Sequence, residues 1–256
     1  MTWLEAIILG IIQGLTEFLP ISSSGHLVLA QHFMDLNERG VLLEVILHMG
    51  TLASILIYYR ENLRQLVLDI VNGIEEAQRY IIYLAIATLP VVFAGIFFEN
   101  RIESAFIPSV VIWMLMITGL VVGSTYFVKN RSRREFTYMI VLYIGFAQAF
   151  ALLPGISRSG ITISVALLMG IKHHEAAKFA FFMAMPALLG ASFLQIIKID
   201  NLQQIALFPL IMGLFTAAVT GYLVINWLLA VISKGKFYLF SLYCVTIAII
   251  AYIVIN

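Results

Sequence analysis

Stretches without Asp, Glu, Lys or Arg dominate the chain. Six of them lie at 45–59, 80–98, 104–128, 179–197, 201–233 and 237–256. Each is long enough, or nearly so, to cross a hydrocarbon core of about 30 Å as a helix. The first reaches full length only if Glu44 is counted inside the membrane. Segment 60–79 has a different pattern: Leu63, Leu66, Val67, Ile70, Val71 and Ile74 alternate with charges. That spacing predicts an amphipathic helix lying on a membrane surface.

Two further apolar segments are broken at their centres. Residues 2–36 break at Leu19-Pro20-Ile21-Ser22-Ser23-Ser24-Gly25-His26, and residues 137–171 at Leu153-Pro154-Gly155-Ile156-Ser157-Arg158-Ser159-Gly160. Non-helical backbone at membrane depth survives only where protein or a wet cavity satisfies it. Both segments therefore read as re-entrant hairpins. The two breaks also align, Leu19-Pro20 with Leu153-Pro154, then Ile21–Gly25 with Ile156–Gly160 after an insertion at Gly155. Three candidate spans follow each hairpin. The expected fold is an all-α polytopic membrane protein, with six full transmembrane helices and two re-entrant hairpins arranged as inverted repeats, about 1–128 and 136–256. Such repeats place their binding site where the two breaks meet, near the midplane.

Charge supplies the orientation. With the N-terminus outside, the inner loops hold Arg60, Arg64, Arg79, Lys129, Arg131, Arg133, Arg134, Lys172, Lys178, Lys234 and Lys236. The outer segments hold only Arg39, Arg101 and Lys198. Basic residues favour the inner side, so this orientation is the expected one. Arg158 belongs to neither group, because it lies in the second break.

Composition narrows the class. The chain is 62% hydrophobic and 11% charged, where soluble domains are near half and about a quarter. That leaves no separate soluble domain. The net charge of +1 makes no case for nucleic acid, and no such partner is expected. Residues 1–17 lack a basic start and carry Glu5, so they do not read as a cleaved signal. Cys244 excludes an intrachain disulfide and reads as a small packed hydrophobe. Cysteine-pair metal motifs and nucleotide loops are absent from the sequence.

Ionisable residues inside a membrane segment are costly and point to function. Gln13 and Glu17, four apart, share one face of the first half-helix. Ser22, Ser23, Ser24 and His26 follow the break, and at least one of these serines suits helix capping. His26 suits a general acid or base, or an orienting role. Arg158 lies among small and hydroxyl residues, where its fork suits a pair of phosphate oxygens. The half-helix it opens turns its N-terminal amides towards an anion. Ser157, Ser159 and Thr162 could add hydroxyl donors. A structural ion pair between Arg158 and Glu17 is compatible with that role. Glu44 and His48 could extend the site or simply pack. His173 and His174 read as a solvated inner loop.

Gln13–His26, with its (Glu/Gln)-x-x-x-Glu element, resembles the first signature of the bacitracin-resistance type undecaprenyl-diphosphate phosphatases. Pro154–Thr162 resembles the second. The likeness continues through Gly50-Thr51-Leu52-Ala53, Phe181–Gly190 and the C-terminal spans. It implies hydrolysis of a polyprenyl diphosphate to the monophosphate and phosphate, which recycles the lipid carrier of cell-wall synthesis. It further implies a multi-pass protein of the plasma membrane, a site facing outward, and help from a divalent cation, Mg²⁺ or Ca²⁺. The functional set carried over is Glu17, Ser23, His26, Arg158, Ser157 and Thr162, with Glu17 the candidate metal ligand. Gln13 stands where many members have Glu, which removes one carboxylate. The partners are then the lipid substrate and the membrane, and a homodimer fits the same picture.

Two chemical routes follow. Ser23 attacks the terminal phosphorus while Glu17 or His26 takes its proton, or Glu17 and a metal ion activate water directly. A lipid flippase or anion transporter is the alternative of a different class, since broken, repeated helices also build transporters. A structural membrane subunit explains none of the buried polar clusters.

Overall fold

The structure, a computed structural model, describes residues 2–36, 41–128, 134–197 and 207–255. Pro20 interrupts the first apolar segment, and the chain turns back between α1 (Trp3–Thr16) and α2 (Ser23–Phe33), which pack on each other. Next come α3 (Val41–Tyr58), α4 (Arg60–Val71), α5 (Glu75–Phe97), α6 (Glu99–Ser104) and α7 (Pro108–Ser124). The second broken segment forms α8 (Tyr138–Phe150) and α9 (Arg158–Leu168), followed by α10 (His173–Ile197), α11 (Leu207–Ser233) and α12 (Phe240–Ile255). At about 1.5 Å per residue, α1 is roughly 21 Å long and α2 and α9 roughly 16 Å. None of these crosses a core of about 30 Å alone. The protein is an all-α polytopic membrane protein.

Five of the expected spans form long apolar helices: α5, α7, α10, α11 and α12. The first expected span is less regular. α3 is long and apolar enough to span only together with α4, and the pair bends by 70° between Tyr58 and Arg60. α4 is the expected surface helix. Leu63 and Leu66 pack on the core while Val67, Leu68 and Val71 stay exposed beside Arg60 and Arg64. It is shorter than the 60–79 read from the pattern. Gly73, at φ +75°, ends it, and Glu75 and Glu76 open α5, where acidic side chains favour the helix N-terminus. His173 and His174 likewise begin α10 rather than lying in a loop. Arg39, Lys129, Arg131, Arg133 and Lys198, and the first six residues of the expected span 201–233, fall outside the described residues.

The hairpins exchange partners. α1 packs along α11, and α8 packs along α5, so each first half-helix lies against a full span from the other half of the sequence. Small residues permit the close approach. A Cβ on Gly14 would meet Thr220 Oγ1 at 2.0 Å and the Ala217 carbonyl oxygen at 2.7 Å of α11. On the other side, a Cβ on Gly145 would lie 2.8 Å from the Ala87 carbonyl oxygen of α5. These contacts bring both Pro-containing turns into the interior, where they meet.

Candidate functional site

Local rules place Glu17 first. α1 ends at Thr16, and Glu17 caps it with helical dihedrals, its N–H donating to the Gln13 carbonyl at 2.9 Å. The chain turns through Pro20, and Ser22 becomes the N-cap of α2, its hydroxyl accepting from the Gly25 N–H at 3.2 Å. Ser22 holds φ +69°. A non-glycine residue there stores strain, a feature that clusters at functional sites. Ser23 therefore opens α2 beside the Glu17 carboxylate.

The second hairpin is built alike. Ser157 caps α9, accepting from the Gly160 N–H at 3.0 Å. Gly155 takes φ +96°, with its Cα against Val111 and Met114 of α7. Thr118 of α7 fixes this turn from both sides. Its hydroxyl donates to the Gly155 carbonyl at 2.8 Å and accepts from the Ser157 N–H at 3.0 Å. The two turns are then tied together. Ser159 and Ser157 donate to the Leu19 carbonyl at 3.0 and 3.4 Å, and Cys244 donates to the Pro20 carbonyl at 3.4 Å.

Glu17 is the hub. It is buried at 7% exposure. Arg158 Nη2 donates to Oε1, while Oε2 accepts from Ser23 Oγ at 2.5 Å and from Gln13 Nε2 at 3.1 Å. His48 Nε2 lies 3.7 Å from the same oxygen. Two polar atoms here are buried and have no protein partner: Arg158 Nη1 and Gln13 Oε1. An unpaired buried donor of a guanidinium carries a large desolvation cost. An anion's oxygen would remove it. The N-termini of α2 and α9 converge on this point, and both favour negative charge.

The remaining expected residues divide by role. Ser24 is half-buried and shares a 3.3 Å contact with Ser22. Ser157 and Ser159, 3.2 Å apart, join the hairpins as well as flanking Arg158. Thr162 is fully buried and donates to the Arg158 carbonyl at 2.7 Å, so its hydroxyl steadies α9. His26 is placed away from the Glu17 hydrogen bonds. Its Nδ1 is 2.7 Å from the Ser22 carbonyl, and its Nε2 is 3.0 Å from Tyr243 Oη. The sequence left His48 evenly balanced between packing and function, and it did not single out Thr118 or Tyr243. A four-residue step from Glu44 and a hydroxyl in an apolar span were the only signals for the first two.

The site is asymmetric along α3. Towards Tyr59, Phe18 packs edge-on to Phe181 with centroids 5.6 Å apart, and Tyr59 and Phe182 extend the aromatic wall. Towards the opposite end, Glu44 borders a polar chamber of about 250 Å³ that Gln31, His32 and Asp35 also line. His48 lies one turn from Glu44, between the chamber and Glu17.

Among the described residues no three His, Cys, Asp or Glu side chains cluster as a metal cage. The Glu17 carboxylate and the unpartnered Gln13 Oε1 are nevertheless hard oxygen donors. They fit a cation such as Mg²⁺ that keeps several waters and shares phosphate oxygens.

Comparison with known proteins places nearly the whole chain within one family. The family described as bacitracin resistance protein BacA matches residues 6–250. A protein of Syntrophotalea carbinolica named undecaprenyl-diphosphatase is 39% identical over 251 residues, covering 95% of each chain. Proteins of the same name from Bacteroides thetaiotaomicron and Methanobrevibacter smithii are 35% and 34% identical. The first covers 95% of this chain and 96% of its own, the second 98% and 97%.

Proposed function

Since this chain belongs to the bacitracin resistance protein BacA family, we propose that it is a membrane phosphatase that hydrolyses undecaprenyl diphosphate to the monophosphate and phosphate. It thereby recycles a lipid carrier of cell-wall synthesis and supports bacitracin resistance. The observation that carries the reading is the buried Arg158. Its terminal nitrogen Nη2 is anchored on Glu17, while Nη1 is buried without a protein partner. A terminal phosphate seated there gains a charged donor and two sets of backbone amides. Positioning and charge stabilisation of this kind make up most of phosphoryl-transfer catalysis.

Ser23 is the proposed nucleophile. Its hydroxyl already donates to Glu17 Oε2, so its proton passes to that carboxylate as Oγ bonds to the terminal phosphorus. The bridging P–O bond breaks, and undecaprenyl monophosphate leaves. Water then attacks the phosphoserine and gives its proton to His26; the Oγ–P bond breaks, Glu17 returns its proton to Ser23 Oγ, and phosphate is released. Ser23 and His26 are three apart on α2 and share a face. Direct attack by water, with Glu17 as base, is the rival route. A Mg²⁺ or Ca²⁺ ion completes the proposal, held by Glu17 and Gln13 Oε1. When bound, it neutralises charge on the phosphate oxygens.

The prenyl tail remains between spans, since the substrate stays in the bilayer. The open chamber lies at the Glu44 end of α3, whereas the aromatic wall lies at the Tyr59 end beside Arg60 and Arg64. Basic residues favour the inner side, so the proposed location is the plasma membrane with the chamber outward. The exchanged hairpin packing supports the inverted-repeat reading. The homodimer stays a proposal, with the exposed apolar faces of α11 and α12 available for it, and native mass in detergent tests it.

The test is phosphate release from undecaprenyl diphosphate by purified protein in detergent, after chelation and after adding back Mg²⁺ or Ca²⁺. Release that depends on the cation and disappears in Arg158→Ala is expected. Folded wild-type protein that releases nothing under any cation rejects the phosphatase reading and favours transport of a phosphorylated lipid.

A further inference from the structure

His26 makes two contacts, and together they define its state. Nδ1 faces the Ser22 carbonyl at 2.7 Å. A carbonyl only accepts, so Nδ1 carries the proton. In the neutral ring Nε2 is then an acceptor, and its neighbour at 3.0 Å is the hydroxyl of Tyr243. The phenol therefore donates to the imidazole. The two rings also lie nearly parallel, at 14° with centroids 5.7 Å apart. The contact joins residues 217 apart in sequence, one on the first hairpin and the other on the last helix.

Neighbouring packing fixes the height of Tyr243. Cys244 is fully buried, and its thiol donates to the Pro20 carbonyl in the first turn. Gly119 of α7 lets α12 approach closely, since a Cβ there would sit 2.9 Å from Val245 Cγ2 and 3.3 Å from Cys244 Cβ. α12 is thus keyed to the first turn one residue after Tyr243. Tyr243 itself keeps 41% of its surface exposed.

We propose that Tyr243 is a positioning residue for the reaction. Its hydroxyl and ring hold His26 in one orientation, with the unprotonated Nε2 of the tautomer that the Ser22 carbonyl sets directed at the phenol. This rests on the reading that His26 takes a proton from water in the dephosphorylation step. The Tyr243 hydroxyl occupies the lone pair until water displaces it. A residue held in this way loses less orientational freedom when it reacts. The second-neighbour hydrogen bond that fixes a histidine tautomer is a recurrent device in sites of this kind.

The experiment compares Tyr243→Phe and Tyr243→Leu with wild type. Kinetics in detergent use undecaprenyl diphosphate, and ¹⁵N spectra use histidine-labelled protein at alkaline pH, with the His26 signals assigned by their loss in His26→Asn. Phe keeps the ring but removes the donor. Expected for Tyr243→Phe is a 3- to 30-fold fall in kcat, on the order of one step of lost orientation, with KM within about twofold. The His26 Nε2 resonance should also move to higher frequency as its hydrogen bond is lost. Tyr243→Leu should lower kcat further. Wild-type kcat together with an unmoved Nε2 signal in Tyr243→Phe overturns the proposal. So does an equal rise in KM without loss of kcat, which marks a substrate contact or a packing role. The spectra need no turnover, so they decide the Tyr243–His26 contact even where wild type releases no phosphate.

Discussion

The hydroxyl of Ser23 donates to Glu17 Oε2 at 2.5 Å across the turn made by Pro20. The pair lies six residues apart in sequence, and the break in the hairpin is what brings the two together. His26 does not join this hydrogen bond, because it is engaged by Ser22 and Tyr243. For the serine route, Ser23→Ala should reduce kcat at least about a hundredfold while leaving the fold intact, since removing a nucleophile costs more than removing a binding contact. Initial rates of phosphate release measure this. Near-normal turnover in Ser23→Ala would mean that water attacks directly.

Arg158 holds Glu17 through Nη2, and its Nη1, buried without a protein partner, is the donor proposed for the phosphate. Lysine is a point charge and cannot span both. Arg158→Lys is therefore expected to retain a folded protein, because the charge beside Glu17 survives, but to raise KM and lower kcat, each by about tenfold or more. Arg158→Ala leaves a buried carboxylate unpaired and should also lose about 3–5 kcal/mol of stability. Thermal unfolding in detergent, beside the kinetics, separates the two effects.

Thr118 acts at a distance from the phosphate. It holds the Gly155 carbonyl and the Ser157 N–H of the second turn. Thr118→Val keeps the shape but leaves both groups unsatisfied inside the protein, a cost of about 1–3 kcal/mol for each. The expected result is a lowered unfolding temperature, and a reduced kcat because Arg158 follows directly after Ser157. An unchanged melting temperature would show that other groups satisfy the turn.

The interface between α1 and α11 has no room for a side chain at Gly14. Gly14→Ala would press against Thr220 and the Ala217 carbonyl. Overpacking of this kind costs about 1–3 kcal/mol, and here it also shifts the half-helix that carries Gln13 and Glu17. Lower thermal stability with weakened activity is expected. At Gly73, where a Cβ meets nothing within 4 Å but φ is +75°, alanine should affect only the turn between α4 and α5.

Much of this architecture is legible in the sequence. The hairpins around Pro20 and Pro154 follow from proline and glycine inside apolar segments too short to cross on either side. Five of the six long spans follow from the absence of charge. The bend after α3 was legible as well, because the uncharged stretch ends at Tyr59 and the amphipathic pattern of a surface helix begins at Arg60. The start of α10 at His173 was hidden, since charged first turns look like loops in a hydropathy pattern. In the site, Glu17, Ser23 and Arg158 stood out because each is polar where polarity is costly. Thr118 and Tyr243 did not, since a hydroxyl in a span is common and only its distant partner gives it a role. The pairing of Tyr243 with His26 depends on how α12 packs beside the first turn.

The central claim is that the buried Glu17 carboxylate accepts the Ser23 proton while pinning Arg158. Turnover of undecaprenyl diphosphate by Glu17→Gln tests it most directly, measured with saturating Mg²⁺ or Ca²⁺ and paired with thermal unfolding. Glutamine keeps the size and its one oxygen can still accept from Arg158, with the amide NH2 turned to the Ser23 oxygen, but it has no basic oxygen left to take the Ser23 proton. A folded protein whose kcat has fallen by about 10²–10⁴-fold is the expected result, the usual scale for a lost general base. A folded Glu17→Gln variant that turns over within a fewfold of wild type would contradict the account.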